Sequence, residues 1–403
     1  MRFSPLVDRI AGRGSAAWRI HFEAVQRRDR DGKDVILLTV GDPDQKPPVA
    51  MVEALVDSVR SGRTGYAGIV GPMPLREAIA RRVTQRTGVA TTAENVVIVP
   101  GAQAGLFCAL QLLAGPGDEV ILAEPMYATY EAVVGVSGAT LVNVPLTPEN
   151  RFHPDLKALE AAITPRTRVL WINSPHNPTG AVLDRNEIET IAGLCRKHDL
   201  WLLSDEVYED LAYARPHISP RTLPGMAERT VVISSLSKSH AVPGFRTGWI
   251  IGPAALTPHL FNLILCMTYG GPPFIHDGAL PALTQELPEA ATLREDYLRR
   301  AKLLGGLLST AKNCRVVMPE GGMFLLLDVR GTGMSATEFA RGLLEAESVA
   351  LLPADGFGPS LAGHLRVSLT QADERLAEAG RRIVRYAASP TLAPALSKAP
   401  PAT

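Results

Sequence analysis

Apolar residues in this chain fall mostly into short unbroken runs rather than strict alternation. Between Asn95 and Gly252 these runs are Val96-Val97-Ile98-Val99, Val120-Ile121-Leu122, Thr140-Leu141-Val142, Val169-Leu170-Trp171-Ile172, Leu200-Trp201-Leu202-Leu203 and Thr230-Val231-Val232-Ile233. Helix-patterned stretches lie between them, the first starting at Ala102, and punctuators such as Gly115-Pro116-Gly117-Asp118 separate the units. A strand apolar at consecutive positions is buried on both faces. The pattern therefore predicts an α/β protein with a mainly parallel sheet covered by helices. The last third differs: a long helix is expected over 286–308 and strands over 322–328 and 365–369, forming a smaller α+β unit. The expected division is an N-terminal arm and part of the small domain over 1–44 and a large domain over 45–285. A small C-terminal domain over 286–388 and a Pro/Ala-rich disordered tail over 389–403 follow. No internal repeat is visible.

A chain of 403 residues can bury a large core and divide into two packed domains. Its composition, 46% hydrophobic and 20% charged, is that of an ordinary globular protein. The 41 basic and 41 acidic residues balance, which argues against nucleic acid or an anionic membrane as partner. The start, Met1-Arg2-Phe3-Ser4-Pro5, carries no apolar signal core, and apolar runs such as 260–267 are too short to span a bilayer. Cys108, Cys195, Cys266 and Cys314 lie far apart with no CxxC spacing. They read as buried small residues in a reducing, cytoplasmic setting rather than as a disulfide or zinc framework, and no metal site is expected.

The chemistry centres on Lys238, in Ser234-Ser235-Leu236-Ser237-Lys238-Ser239-His240, followed by Pro243-Gly244-Phe245-Arg246-Thr247-Gly248-Trp249. A lysine among small hydroxyl residues just past an apolar strand is placed to act as a Schiff-base nucleophile. Ser235-x-x-Lys238 also matches the serine-nucleophile motif of penicillin-binding enzymes, but the SDN-like and KTG elements that accompany it do not occur. Three further segments stand out: Asn173-Ser174-Pro175-His176-Asn177-Pro178-Thr179-Gly180, Ser204-Asp205-Glu206-Val207-Tyr208 and His364-Leu365-Arg366-Val367-Ser368. In order and spacing, from about Asp8 to about Ala387, these motifs resemble the pyridoxal-phosphate-dependent aminotransferases of classes I and II.

That resemblance implies the fold-type-I architecture, pyridoxal 5′-phosphate as cofactor, and a role for each motif. Lys238 is expected to bond the cofactor aldehyde and shuttle the α-proton of the substrate. Asp205 ends an apolar strand, where ligand-facing residues of open α/β sheets lie, and would pair with the ring nitrogen. Tyr208 and Asn177 would hydrogen-bond the phenolic oxygen of the ring. Gly101, Ala102 and Gln103 stand where a strand hands over to a helix, a place suited to phosphate, with Ser235 and Arg246 adding a hydroxyl and a cation. Ala102 has no side-chain donor, so its part would be backbone only. Tyr127, in Glu124-Pro125-Met126-Tyr127, takes the ring-stacking place, while Tyr130 reads as a packing residue. Arg366 would grip the substrate carboxylate through its planar fork, helped by Asn177 and by Gly41 in Val40-Gly41-Asp42-Pro43-Asp44. Tyr66 matches the tyrosine that crosses to the neighbour's phosphate in this family, which implies a homodimer. Gln45, His276 and Ala354 depart from common family residues and bear on loop closure and specificity.

Whole segments, including Arg9-Ile10-Ala11-Gly12, Ala16-Ala17-Trp18, Ser235 to Ala241 and Gly321-Gly322-Met323-Phe324, resemble the arginine–pyruvate transaminases in particular. The implied donor is L-arginine or another cationic amino acid, and the implied acceptor is pyruvate. Glu23, Asp44 and Asp277 are the candidate partners for a substrate guanidinium. The competing readings are a lyase, decarboxylase or arginine oxidase on the same fold, and a non-enzymatic ligand-sensing module. The last would need a winged helix, for which Met1–Trp18 leaves no room.

Overall fold

A computed structural model describes residues 2–11 and 18–389 of the chain. The expected tail from 390 onward lies outside the described residues, as do Gly12, Ala16 and Ala17.

The strands, in chain order, are β1 (Ile36–Leu38), β2 (Val96–Pro100), β3 (Glu119–Glu124), β4 (Thr140–Pro145), β5 (Thr167–Asn173), β6 (Trp201–Asp205), β7 (Thr230–Ser235), β8 (Thr247–Ile251), β9 (Arg315–Val317), β10 (Phe324–Asp328), β11 (Val349–Pro353) and β12 (His364–Ser368). They form two sheets. The larger has the order β2-β8-β7-β6-β5-β3-β4 and the smaller β1-β11-β12-β10-β9. In the larger sheet β3, β4, β5, β6 and β7 run parallel, while β8 is antiparallel to both its neighbours. β2 therefore points the same way as β7. The carboxyl ends of β2, β5, β6 and β7 share one edge, and open α/β sheets bind ligands outside that edge. Most of the continuous apolar runs correspond to strands buried on both faces, β7 at every residue, whereas the Thr140-Leu141-Val142 run is the half-exposed edge strand β4. β8 begins at the end of the Lys238–Trp249 segment and continues to Ile251.

The small sheet takes β1 from the early chain, paired parallel with β11. Its core is built from β10, β11 and β12 packed against the helices Leu293–Leu308, Ala336–Glu347 and Asp373–Ala387. The long helix expected over 286–308 is two pieces, Pro288–Ala291 and Leu293–Leu308. Pro288 opens the first piece, a position where its missing N–H costs nothing. Among the described residues no helix is long and apolar enough to cross a membrane.

Candidate active site

The shared strand edge opens onto a cavity of about 170 Å³. Its lining includes Ala102, Gln103, Tyr127, Asn177, Asp205, Tyr208, Ser235, Lys238 and Arg246, nine of the residues singled out by sequence. Most are delivered by a strand end or the turn or helix start that follows it, and Arg246 stands just before β8. Asp205 closes β6, Ser235 closes β7, and Lys238 sits in the short helix Leu236–Ser239 that follows.

Lys238 Nζ donates to the carbonyl of Gly41 at 2.6 Å, tying the first loop of the small unit to the reactive amine. Burial pushes the Lys238 ammonium down to about 8, with Asp42 opposing the shift and Arg366 and Arg246 adding to it. Burial drives the Asp205 carboxyl the other way, up to about 6. Two donors counter that rise: Tyr130 Oη at 2.6 Å from Oδ2 and the Val207 amide at 3.2 Å from Oδ1. Asn173 Nδ2 holds the Asp205 carbonyl at 3.0 Å, and Asn173 Oδ1 accepts the Asn177 amide at 2.9 Å. Asn177 in turn donates to Tyr208 Oη at 3.3 Å, and its side-chain oxygen accepts Arg366 Nη1 at 3.1 Å. One bonded chain thus runs from Tyr130 through Asp205, Asn173 and Asn177 to Arg366.

At the other end of the cavity, Gly101 caps the helix Ala102–Leu113 with φ +80°, a conformation that favours glycine. A side chain there would collide with the Arg246 guanidinium, which donates to the carbonyls of Pro243 and Pro100. Gly101 and Arg246 therefore form a bare, positively charged cradle at a helix N-terminus. Thr129 Oγ1 donates to Gln103 Oε1 at 2.7 Å, fixing that amide beside the cradle.

A profile of the family described as aminotransferase class I and II matches residues 33–383. The chain belongs to this family. The arginine–pyruvate transaminase of Pseudomonas aeruginosa is 50% identical over 96% of this chain and 98% of its own. The aspartate/prephenate aminotransferase of Thermus thermophilus is 35% identical over 92% and 95%. Among solved structures, the aspartate aminotransferase of Thermotoga maritima superposes with a TM-score of 0.90 at 30% identity, covering 96% of this chain and 100% of that one. The protein is an aminotransferase of fold type I, and the cofactor of its family is pyridoxal 5′-phosphate. The residues present fit that group: a half-buried amine, a buried carboxylate, and a cationic cradle that a Cβ would fill.

The aminotransferase differs from its sequence reading in several places. Tyr130 is not a mere packing residue, since its hydroxyl is bonded to Asp205. The available signal was its position three residues after Tyr127, in a segment already assigned to ring stacking. Tyr66 is absent from the cavity lining; it stands 87% exposed, against Tyr269 at 5.0 Å between ring centres. Glu23, Asp44 and Asp277 are each already engaged: Glu23 by Arg27 at 2.6 Å, Asp44 by both Nη atoms of Arg300, and Asp277 by Arg63 and Ser58. None of the three lines the cavity. Gly41 and Arg366 reach it through Lys238 and Asn177 respectively.

Proposed function

We propose that this aminotransferase moves the α-amino group of L-arginine to pyruvate, acting as a homodimer in the cytoplasm. The observation that carries the substrate reading is the half identity, along almost the full length of both chains, to the arginine–pyruvate transaminase of P. aeruginosa. Pyridoxal 5′-phosphate, when bound, supplies an electron sink for the carbanion at the substrate α-carbon. Lys238 would hold the group at its aldehyde carbon and would move the proton at the substrate α-carbon. Its depressed pKa supports the role, because the neutral amine is both the nucleophile and the base. Asp205 would hold the ring-nitrogen proton, and Asn177 and Tyr208 would donate to the phenolic oxygen. Tyr127 would pack against the ring. The Gly101–Gln103 turn, Ser235 and Arg246 would hold the phosphate. Arg366, with Asn177 and Gly41 beside it, holds the substrate carboxylate.

Tyr66 crosses the dimer interface to the phosphate end of the partner's site. Its exposure, and the contact its segment makes with the 269–270 turn, support this. The four unpaired cysteines suit the cytoplasm. The test is a half-reaction. The loaded protein receives L-arginine without keto acid; loss of the visible cofactor band, restored by pyruvate, is expected. Conversion only with a different amino acid would overturn the donor, and oxygen uptake without pyruvate-dependent recovery would overturn transamination. For the dimer, mixing inactive Tyr66→Ala and Lys238→Ala proteins should restore about a quarter of native activity overall if the tyrosine serves the partner, because about half of the re-paired dimers are mixed and each of these carries one intact site. No recovery would overturn the crossing.

A further inference from the structure

Arg366 is 2% exposed, yet among the described residues no carboxylate pairs with it. Its two terminal nitrogens reach only neutral oxygens, Asn177 Oδ1 at 3.1 Å and the Thr39 carbonyl at 2.8 Å, while Nε has no protein partner. A buried cation without a counter-charge is costly, and burial accordingly lowers its pKa to about 10. What surrounds the charge is aromatic. The guanidinium carbon lies 4.0 Å from the centroid of the Phe324 ring and 4.7 Å from that of Phe357. Both distances lie well inside the roughly 6 Å reach of a cation–π contact.

We propose that Phe324 and Phe357 are positioning residues that clamp Arg366, standing in for a counter-carboxylate and leaving the edge of its fork free for the substrate's carboxylate. This rests on the reading of Arg366 as the carboxylate grip. The ring quadrupole stabilises the cation without supplying an acceptor that would compete in the plane of the fork. An in-chain carboxylate would do the reverse, as at Arg300, whose fork is filled by Asp44 and Asp373. With rings against the cation, a ligand meets it edge-on, where two parallel hydrogen bonds to a carboxylate can form.

The two rings also link Arg366 to the rest of the site. A Cβ on Gly41 would collide with the tip of the Phe324 ring, so the loop whose carbonyl accepts Lys238 rests directly on that ring. Tyr208 meets the same ring edge-on at 6.5 Å between centres. The Phe357 carbonyl accepts the Met126 amide at 2.9 Å, one residue before Tyr127. A glycine at 41 and phenylalanine at 324 are thus one steric unit.

The experiment compares Phe357→Leu, Phe357→Tyr and Phe324→Leu, alone and with Arg366→Lys, in the cofactor-loaded protein. The tyrosine variant keeps an aromatic ring at 357, which the leucine variant removes. For both leucine variants KM for amino donor and 2-oxo acid should rise roughly 3- to 30-fold, with kcat and cofactor affinity nearly unchanged. Phe357→Tyr should stay within about threefold of the native KM. In the Arg366→Lys background Phe357→Leu should add little, because the ring acts through the guanidinium. Native KM in both leucine variants overturns the clamp, as do equal losses in Phe357→Leu and Phe357→Tyr, or full additivity with Arg366→Lys. If Phe324→Leu fails to fold, the Phe357 series decides alone. Native KM in Arg366→Lys would instead overturn the assignment of Arg366 itself, an outcome distinct from loss of the clamp.

Discussion

Tyr130 donates a 2.6 Å hydrogen bond to Oδ2 of Asp205 in the wall of the cavity. Both side chains are almost fully buried, and Tyr130 also stacks on Trp171 at 4.3 Å between ring centres. Burial alone would favour a neutral Asp205, which could not hold a proton on a ring nitrogen. The tyrosine hydroxyl favours the carboxylate form, because it donates where the charge sits. Its own pKa lies well above the ordinary value, first through burial and then through the charge on Asp205, so it remains a donor. The bond therefore does at Asp205 what no cation among the described residues is placed to do.

Tyr130→Phe should keep the fold, since the Trp171 stack survives, and lose the bond. A hydrogen bond to a charged group contributes about 1.5–3 kcal/mol, so affinity for the cofactor should fall roughly 10- to 100-fold. The sign of the pH effect follows from Asp205. In the native apoprotein the ionised form, and with it ring binding, is lost as pH falls through about 6. Without Tyr130, which lowers that value, the midpoint should move to higher pH. Titration of apoprotein with cofactor between pH 5 and 8 reads it; an unmoved midpoint would separate Tyr130 from Asp205.

Gly101→Ala places a Cβ against the Arg246 guanidinium and forces an L side chain to φ +80°. The conformational cost alone is about 1–2 kcal/mol. Displacing Arg246 removes the cation from the cradle as well. Cofactor affinity should fall at least tenfold, with little change in substrate KM once the protein is saturated. Equilibrium dialysis of the cofactor checks the first, and steady-state kinetics at saturation the second.

The division of labour among these residues explains how much of the site the sequence disclosed. Lys238, Asp205, Asn177 and Arg246 were visible because each lies in a short string whose spacing is set by one strand end and its turn. Tyr130, Phe324 and Phe357 were not. Their functions depend on which side chain from another segment lies against them, and an aromatic in an apolar setting reads as core. In the fold, the double-sided apolar runs disclosed β2 to β7, whereas β9 and β11 were too short or too ordinary in composition to separate from their surroundings. The ion pairs that engage Glu23, Asp44 and Asp277 were hidden for a related reason. Their arginine partners lie between 4 and 256 positions away in the chain, and only Arg27 is near enough to be read.

Lys238 reacts as a neutral amine, and its pKa of about 8 places the change inside an accessible range. The rate at which apoprotein captures the cofactor aldehyde should rise with pH and level off above about 8. An exposed lysine would go on rising to beyond 10. Lys238→Arg should bind the cofactor without the covalent bond, so that borohydride fixes no label. A capture rate still climbing steeply at pH 9.5 would mean that burial does not depress this amine.

His153 is held between two carboxylates, Nδ1 at 2.8 Å from Glu187 and Nε2 at 3.2 Å from Glu320. Their hydrogen bonds raise its pKa to about 9, against the desolvation that lowers it. Glu320 also receives Arg151 and the Val182 amide, and the amides of Glu320 and Gly321 both bond the carbonyl of Gly180. The His153 cation thus helps pin the segment that leads into Phe324 onto the turn that carries Asn177. A histidine whose folded pKa is raised stabilises the protein fully below its unfolded value of 6.5, and that contribution is lost as pH rises through about 9. Because the ring is partly solvated, the contribution is about 1–2 kcal/mol rather than the full value of the shift. Urea unfolding of the native protein should therefore show stability declining between pH 6.5 and 9. His153→Gln should start lower by that amount and show a flatter profile over the same window. Parallel profiles for the two proteins would place the alkaline loss in some other group.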